Sequence, residues 1–215
     1  VRNVDWERVA VLVSVIVPSV ILHEVAHGFV AKLFGDDTAS KAGRLTLNPI
    51  AHVDPFGTIV LPFILSLSGL GAFGYAKPVP VNPRKLRNPR QHSLYVSLAG
   101  PATNIGLALV AALLLRTVFA SALDRVLFIS DLPLVPQLVL WLGFMNVILA
   151  VFNLLPIPPL DGSALVERVL PQHWWPTWLK YRQYGFGILL IVVFLVPGAL
   201  DRVFDPALDQ WLKLI

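Results

Sequence analysis

Three segments of this chain, 55–76, 91–115 and 132–160, contain no Asp, Glu, Lys or Arg at all. About 20 predominantly apolar residues suffice to cross a bilayer as a helix. Two further segments come close. Residues 9–34 are apolar except for His23, Glu24, His27 and Lys32, and residues 183–200 form a shorter run that ends at Pro197-Gly198. Composition agrees: 56% of the 215 residues are hydrophobic, only 14% are charged, and mean hydropathy is +0.71. A soluble domain of this size cannot bury that much apolar surface, and a disordered chain does not carry it. With 0 Cys, a disulfide scaffold is excluded as well.

The net charge is +4. Lys77, Arg84, Lys85, Arg87 and Arg90 crowd into residues 77–90 without an acid among them. Placed between two uncharged runs, this is the pattern of a cytoplasmic membrane-flanking loop. No aromatic–basic interleaving supports a nucleic-acid surface. The first run is not built like a signal peptide, since Asp5 and Glu7 precede it and a polar cluster lies inside it. The chain is therefore expected to be an all-α polytopic membrane protein. Residues 1–215 form one unit, with a core of about 9–162 and C-terminal helices over 163–215. Residues 201–215 have the spacing of an amphipathic surface helix. Residues 43–49 alternate between turn residues and are expected to form a short strand.

The chemistry is concentrated in His23-Glu24-Val25-Ala26-His27, an H-E-x-x-H pattern. Histidines four apart share one helix face and can grip one Zn²⁺, with the glutamate as general base. The alternative is a solvated helix end. Ionisable groups inside a membrane helix are costly, which favours function. A hydrolytic zinc site usually takes a third protein ligand. Asp161 is the carboxylate that stands out, at the end of Asn153-Leu154-Leu155-Pro156-Ile157-Pro158-Pro159-Leu160-Asp161-Gly162. Its prolines forbid a regular helix. Asp161 could equally be the N-cap of a following helix.

H-E-x-x-H in a membrane helix, followed downstream by N-x-x-P-x-P-x-x-D-G, resembles the site-2 proteases, intramembrane zinc metalloproteases. Ala99-Gly100-Pro101-Ala102-Thr103-Asn104 is similar to that family's A-G-P-x-x-N motif. The resemblance spans roughly residues 9–162 and is to a minimal form without PDZ or CBS domain. It implies that His23, His27 and Asp161 bind one zinc, that Glu24 is catalytic and that Asn153 lies beside the site. It implies cleavage of peptide bonds in or near membrane-spanning segments of substrate proteins.

One shared ion requires the helices carrying His23 and Asp161 to run in the same direction. With the basic loop cytoplasmic, the site lies near the cytoplasmic face of a multi-pass protein, in the plasma membrane of a prokaryote. Residues 55–76 should then leave and re-enter on one side rather than cross. Asn104 could contact substrate or simply glue helices together. His52 could be a further ligand, a substrate contact or a plain interfacial residue. A metal transporter or sensor, or an inactive scaffold, remains an alternative function. Nothing in the sequence fixes the oligomeric state.

Overall fold

The computed structural model describes residues 6–60, 64, 76–125, 128–196 and 198–215. Its frame is three long helices: α1 (Trp6–Leu33), α3 (Pro89–Thr117) and α5 (Leu134–Leu154). All three are long and apolar enough to cross a membrane. Shorter helices accompany them: α2 (Thr38–Lys41), α4 (Ala120–Leu123), α6 (Ser163–Val169), α7 (Trp175–Arg182), α8 (Gly185–Leu195) and α9 (Asp201–Leu212). Helix α8, at 11 residues, is about 16 Å long and does not cross a bilayer alone.

Local chemistry sets the ends of these helices. The Asn88 side chain accepts from the N–H of Gln91, and Pro89 follows it at the first helical position of α3. Helix α5 stops at Leu154 because Pro156, Pro158 and Pro159 cannot donate the next hydrogen bonds. Arg87 donates to the carbonyl of Leu33 at the end of α1, and Arg90 to those of Arg168 and Leu170 at the end of α6. Cations favour helix C-termini. Part of the basic stretch 77–90 is therefore structural.

Three rungs fix the direction of α1 against α5. The Arg8 guanidinium lies 5.7 Å from the ring centre of Trp141. Asn146 donates to Ser19 Oγ, and His23 meets Asp161. Both numbers rise together, so the two helices are parallel, as one shared ion requires. Helix α3 packs between them in the opposite sense, with His27 beside Val96 and His23 beside Asn104. Its small residues Ala108, Ala111 and Ala112 let the backbones approach, and Leu115, Leu132, Leu140 and Val147 fill the contact.

Two expectations need correction. Residues 43–49 form turns and bends, and no strand occurs among the described residues. The segment's own backbone groups find local partners instead of a ladder: the Arg44 N–H donates to the Ala39 carbonyl, the Thr46 carbonyl faces the His52 ring and the Asn48 N–H donates to Thr46 Oγ1. The Arg44 side chain is buried, and its guanidinium donates to the carbonyls of Ala51, Lys77 and Pro78. The C-terminal helix α9 is not confined to the surface. Trp211 is buried and donates from Nε1 to the carbonyl of Ala108 at 2.8 Å. A Cβ at Gly143 would lie 1.9 Å from its ring. The proposed re-entrant stretch 55–76 begins as a π-helical turn, Pro55–Val60. Most of its remainder lies outside the described residues.

Candidate active site

His23 and His27 sit one turn apart on α1, both buried. His23 is ten residues before the end of α1, about 15 Å along the axis. The proline-broken turn after α5 brings Asp161 to them. Its Oδ2 lies 3.1 Å from Nε2 of His23 and 3.3 Å from Nε2 of His27. The two Nε2 atoms are 3.1 Å apart. The structure thus unites the three residues singled out as ligands, from opposite ends of the core.

Glycines make this closeness possible. A Cβ at Gly100 of α3 would lie 2.5 Å from Nε2 of both histidines. A Cβ at Gly162 would meet the carbonyl of Leu154 at 2.2 Å, so the turn carrying Asp161 closes only with glycine there. The N-cap alternative for Asp161 fails. Gly162 is the N-cap of α6 and makes no side-chain cap. Only the main-chain carbonyl of Asp161 serves that helix, accepting from Ala164.

The donor chemistry fits zinc. The carbonyl of Val96 can only accept, and it lies 2.7 Å from Nδ1 of His27. That nitrogen therefore carries the hydrogen, and the Nε2 lone pair faces the cluster. His23 Nδ1 is 2.6 Å from Oδ1 of Asn104 in the same manner. Oδ2 of Asp161 is buried without a hydrogen-bond donor. Three lone-pair atoms facing one another in a buried site are unfavourable unless a cation lies among them. A tetrahedral zinc with bonds of about 2.0–2.1 Å has ligand–ligand edges of about 3.3 Å, close to the separations here.

Glu24 is on the cavity wall beside the histidines, and its Oε2 accepts from the N–H of Val79 at 2.8 Å. Val79 belongs to an irregular, proline-rich strap, residues 76–82. Arg44 holds the strap at Lys77 and Pro78, and Asp36 holds it at Asn82. A cavity of about 270 Å³ over the three ligands is lined by Glu24, Ser93, Ser97 and Asn153, with Pro78 and Val79 of the strap. A larger one of about 720 Å³ adjoins it, walled by Val20, Phe56, Leu149, Phe152, Phe186 and Leu189. Asn153 borders both, with its amide donating to the carbonyl of Leu149.

Asn104 is fully buried and turned to His23, so it does not reach substrate. His52 is outside the ligand trio and bonds the carbonyl of Thr46. Asp54 caps the π-helical turn through Gly57. Sequence reasoning missed Ser19, Val79 and Asn146. Two of these carried a signal: Ser19 is one turn before His23, and Asn146 is two turns before Asn153 on the same face of α5.

Comparison with known proteins finds relatives named as zinc metalloproteases. The chain is 41% identical over 186 residues to "Putative zinc metalloprotease YwhC" of Bacillus subtilis, covering 86% of this chain and 80% of that protein. It is 37% identical over 187 residues to "Putative zinc metalloprotease Rip2" of Mycolicibacterium smegmatis, covering 86% of this chain and 66% of the relative. A 30% identical stretch of 152 residues matches "Putative zinc metalloprotease MJ0611" of Methanocaldococcus jannaschii, 68% of this chain and 64% of that one. The chain thus spans less than two thirds of some relatives it matches. No solved structure matches it. Residues 11–196 match peptidase family M50. With its buried trio and adjacent glutamate, the chain belongs to peptidase family M50, the site-2 protease family of membrane zinc metalloproteases.

Proposed function

We propose that this protein is an intramembrane endopeptidase that cuts peptide bonds in or near the membrane-spanning segments of other proteins. It holds one zinc ion per chain through His23, His27 and Asp161. The observation that carries the reading is the convergence of these three donors, with Glu24 beside them, on a helix long enough to span the bilayer. The larger cavity supports it too, because its walls are mostly apolar side chains suited to a membrane segment.

A zinc ion bound there supplies Lewis-acid activation of water and of the scissile carbonyl. The protein's own groups do the rest. Glu24 takes a proton from the attacking water and delivers it to the leaving amine. Asn153, on the facing wall, orients the substrate backbone by hydrogen bonding. Pro78 and Val79 of the strap and Pro159 after α5 line the cavity beside Glu24 and shape the space in which substrate would lie. With the basic stretch cytoplasmic, the site opens toward the cytoplasmic half of a prokaryotic plasma membrane.

The test is reconstitution of wild type and Glu24→Gln with membrane-spanning reporter substrates. Wild type cleaves; Glu24→Gln retains zinc and loses cleavage by at least about 10²-fold. Zinc flux across vesicles without cleavage would instead establish a transporter. Zinc binding with neither activity, on every reporter, would establish a scaffold.

A further inference from the structure

Three polar side chains within the apolar core have no exposed surface: Ser19 on α1, Asn104 on α3 and Asn146 on α5. They form one chain of hydrogen bonds that crosses all three long helices and ends on His23. The Ser19 hydroxyl donates to the carbonyl of Val15 at 2.8 Å. Asn146 Nδ2 donates to Ser19 Oγ and to the carbonyl of Leu142, each at 2.8 Å. Asn104 Nδ2 donates to Asn146 Oδ1 at 2.7 Å, and Asn104 Oδ1 faces His23 Nδ1 at 2.6 Å.

The chain has a polarity, and it is locked at the far end. The carbonyl of Leu142 can only accept, so the group facing it must be the amide nitrogen of Asn146. The Ser19 hydrogen is committed to Val15, so Ser19 Oγ can only accept from Asn146. Both conditions turn Oδ1 of Asn146 toward Asn104. That oxygen in turn demands the NH₂ of Asn104, which leaves its oxygen for His23. His23 must then carry its hydrogen on Nδ1, and Nε2 presents a lone pair to His27 and Asp161. Reversing Asn104 would put the hydrogen on Nε2, between the very atoms that must bind a cation.

We propose that Asn146 is a positioning residue for the metal site: acting through Asn104, it selects the ring nitrogen that His23 offers to zinc. The inference rests on the zinc reading above. Partners of metal-ligating histidines that fix the tautomer are worth about 10–100-fold in metal affinity. A buried amide that only glued helices would contribute stability and leave affinity alone.

The experiment measures zinc Kd by chelator competition in the detergent-purified full chain. It compares wild type, Asn146→Leu, Asn104→Leu and the double variant, with thermal midpoints and Co²⁺ visible spectra alongside. Val147→Ala, in the adjoining core, controls for destabilisation. We expect Asn146→Leu to weaken zinc by about 10-fold and Asn104→Leu by about 10–100-fold. The double variant should be no weaker than Asn104→Leu alone, since one residue acts through the other. The Co²⁺ spectrum should change in Asn146→Leu and not in Val147→Ala. Wild-type affinity in Asn146→Leu, whatever its thermal midpoint, or losses that multiply in the double variant, would overturn the proposal. If Asn146→Leu fails to fold, Asn146→Ala replaces it with the same expectations. Absence of zinc binding by wild type would sink the zinc reading itself, which separates the two failures.

Discussion

The main-chain N–H of Val79 donates to Oε2 of Glu24 across 2.8 Å, so the proposed general base also holds down the strap over the site. Glutamine keeps an oxygen that can accept this bond; alanine leaves the N–H without its partner. Glu24→Gln should therefore match wild-type stability closely, while Glu24→Ala loses about 1–3 kcal/mol. Thermal unfolding of the zinc-free proteins checks this. Equal midpoints for the two variants would show that the contact contributes nothing.

Asp161→Asn isolates the carboxylate charge. The side chain does not cap α6, so zinc-free stability should stay within about 1 kcal/mol of wild type. Zinc affinity should fall by more than about 10-fold, because an amide is a poorer donor to Zn²⁺. Metal content after dialysis measures it, and full retention would remove Asp161 from the ligand set.

Gly100→Ala adds one methyl that would lie 2.5 Å from both Nε2 atoms. Either α3 moves away or the imidazoles turn, and each disrupts the trio. Expected results are zinc content below about a tenth of wild type and a stability loss of about 1–3 kcal/mol from overpacking. The same substitution at Gly106, where an added Cβ meets nothing, should leave both unchanged.

Asp36 ties the strap to the start of α2 through bonds from Thr38 and Asn82. Burial pushes its pKa up, but those hydrogen bonds outweigh burial and hold it below the usual carboxylate value. A depressed folded pKa stabilises above the unfolded value of about 3.9, and the benefit disappears as pH falls through the folded pKa. Asp36→Ala should cost about 1–3 kcal/mol at pH 7. Its gap to wild type should narrow below about pH 4. Denaturant melts across this range decide the matter, and a gap that widens in acid would refute the assignment.

The frame was legible because uncharged length and a four-residue histidine spacing are local properties. His23, Glu24 and His27 needed only one helix face. Asp161 was readable because prolines and an aspartate at the end of an uncharged run are conspicuous. Its choice of partner over helix capping was not, since Asp serves either role with the same oxygens. The missing strand was not legible, because the local partners of residues 43–49, His52 among them, are set by the fold, and neither was the tether made by Arg44. A lone arginine beside a turn reads as a surface charge, and only the folded chain brings three carbonyls to it. Trp211 escaped for a similar reason: an amphipathic tail reads the same whether its apolar side meets lipid headgroups or the slot left by Gly143. Asn104 read equally well as helix glue and Asn146 drew no reading at all, because direction in a hydrogen-bond chain is set by acceptors far from either residue.

The proposed ligands come from widely separated parts of the chain, His23 and His27 from α1 and Asp161 from beyond α5. A ribosome has therefore made the two imidazoles long before it makes the carboxylate. Until α3, α5 and the proline turn have all emerged and packed, the nascent protein holds half a metal site and no assembled cleft. The full donor set exists only once the core itself has packed, so metal loading reads out completed folding of α1, α3 and the turn after α5.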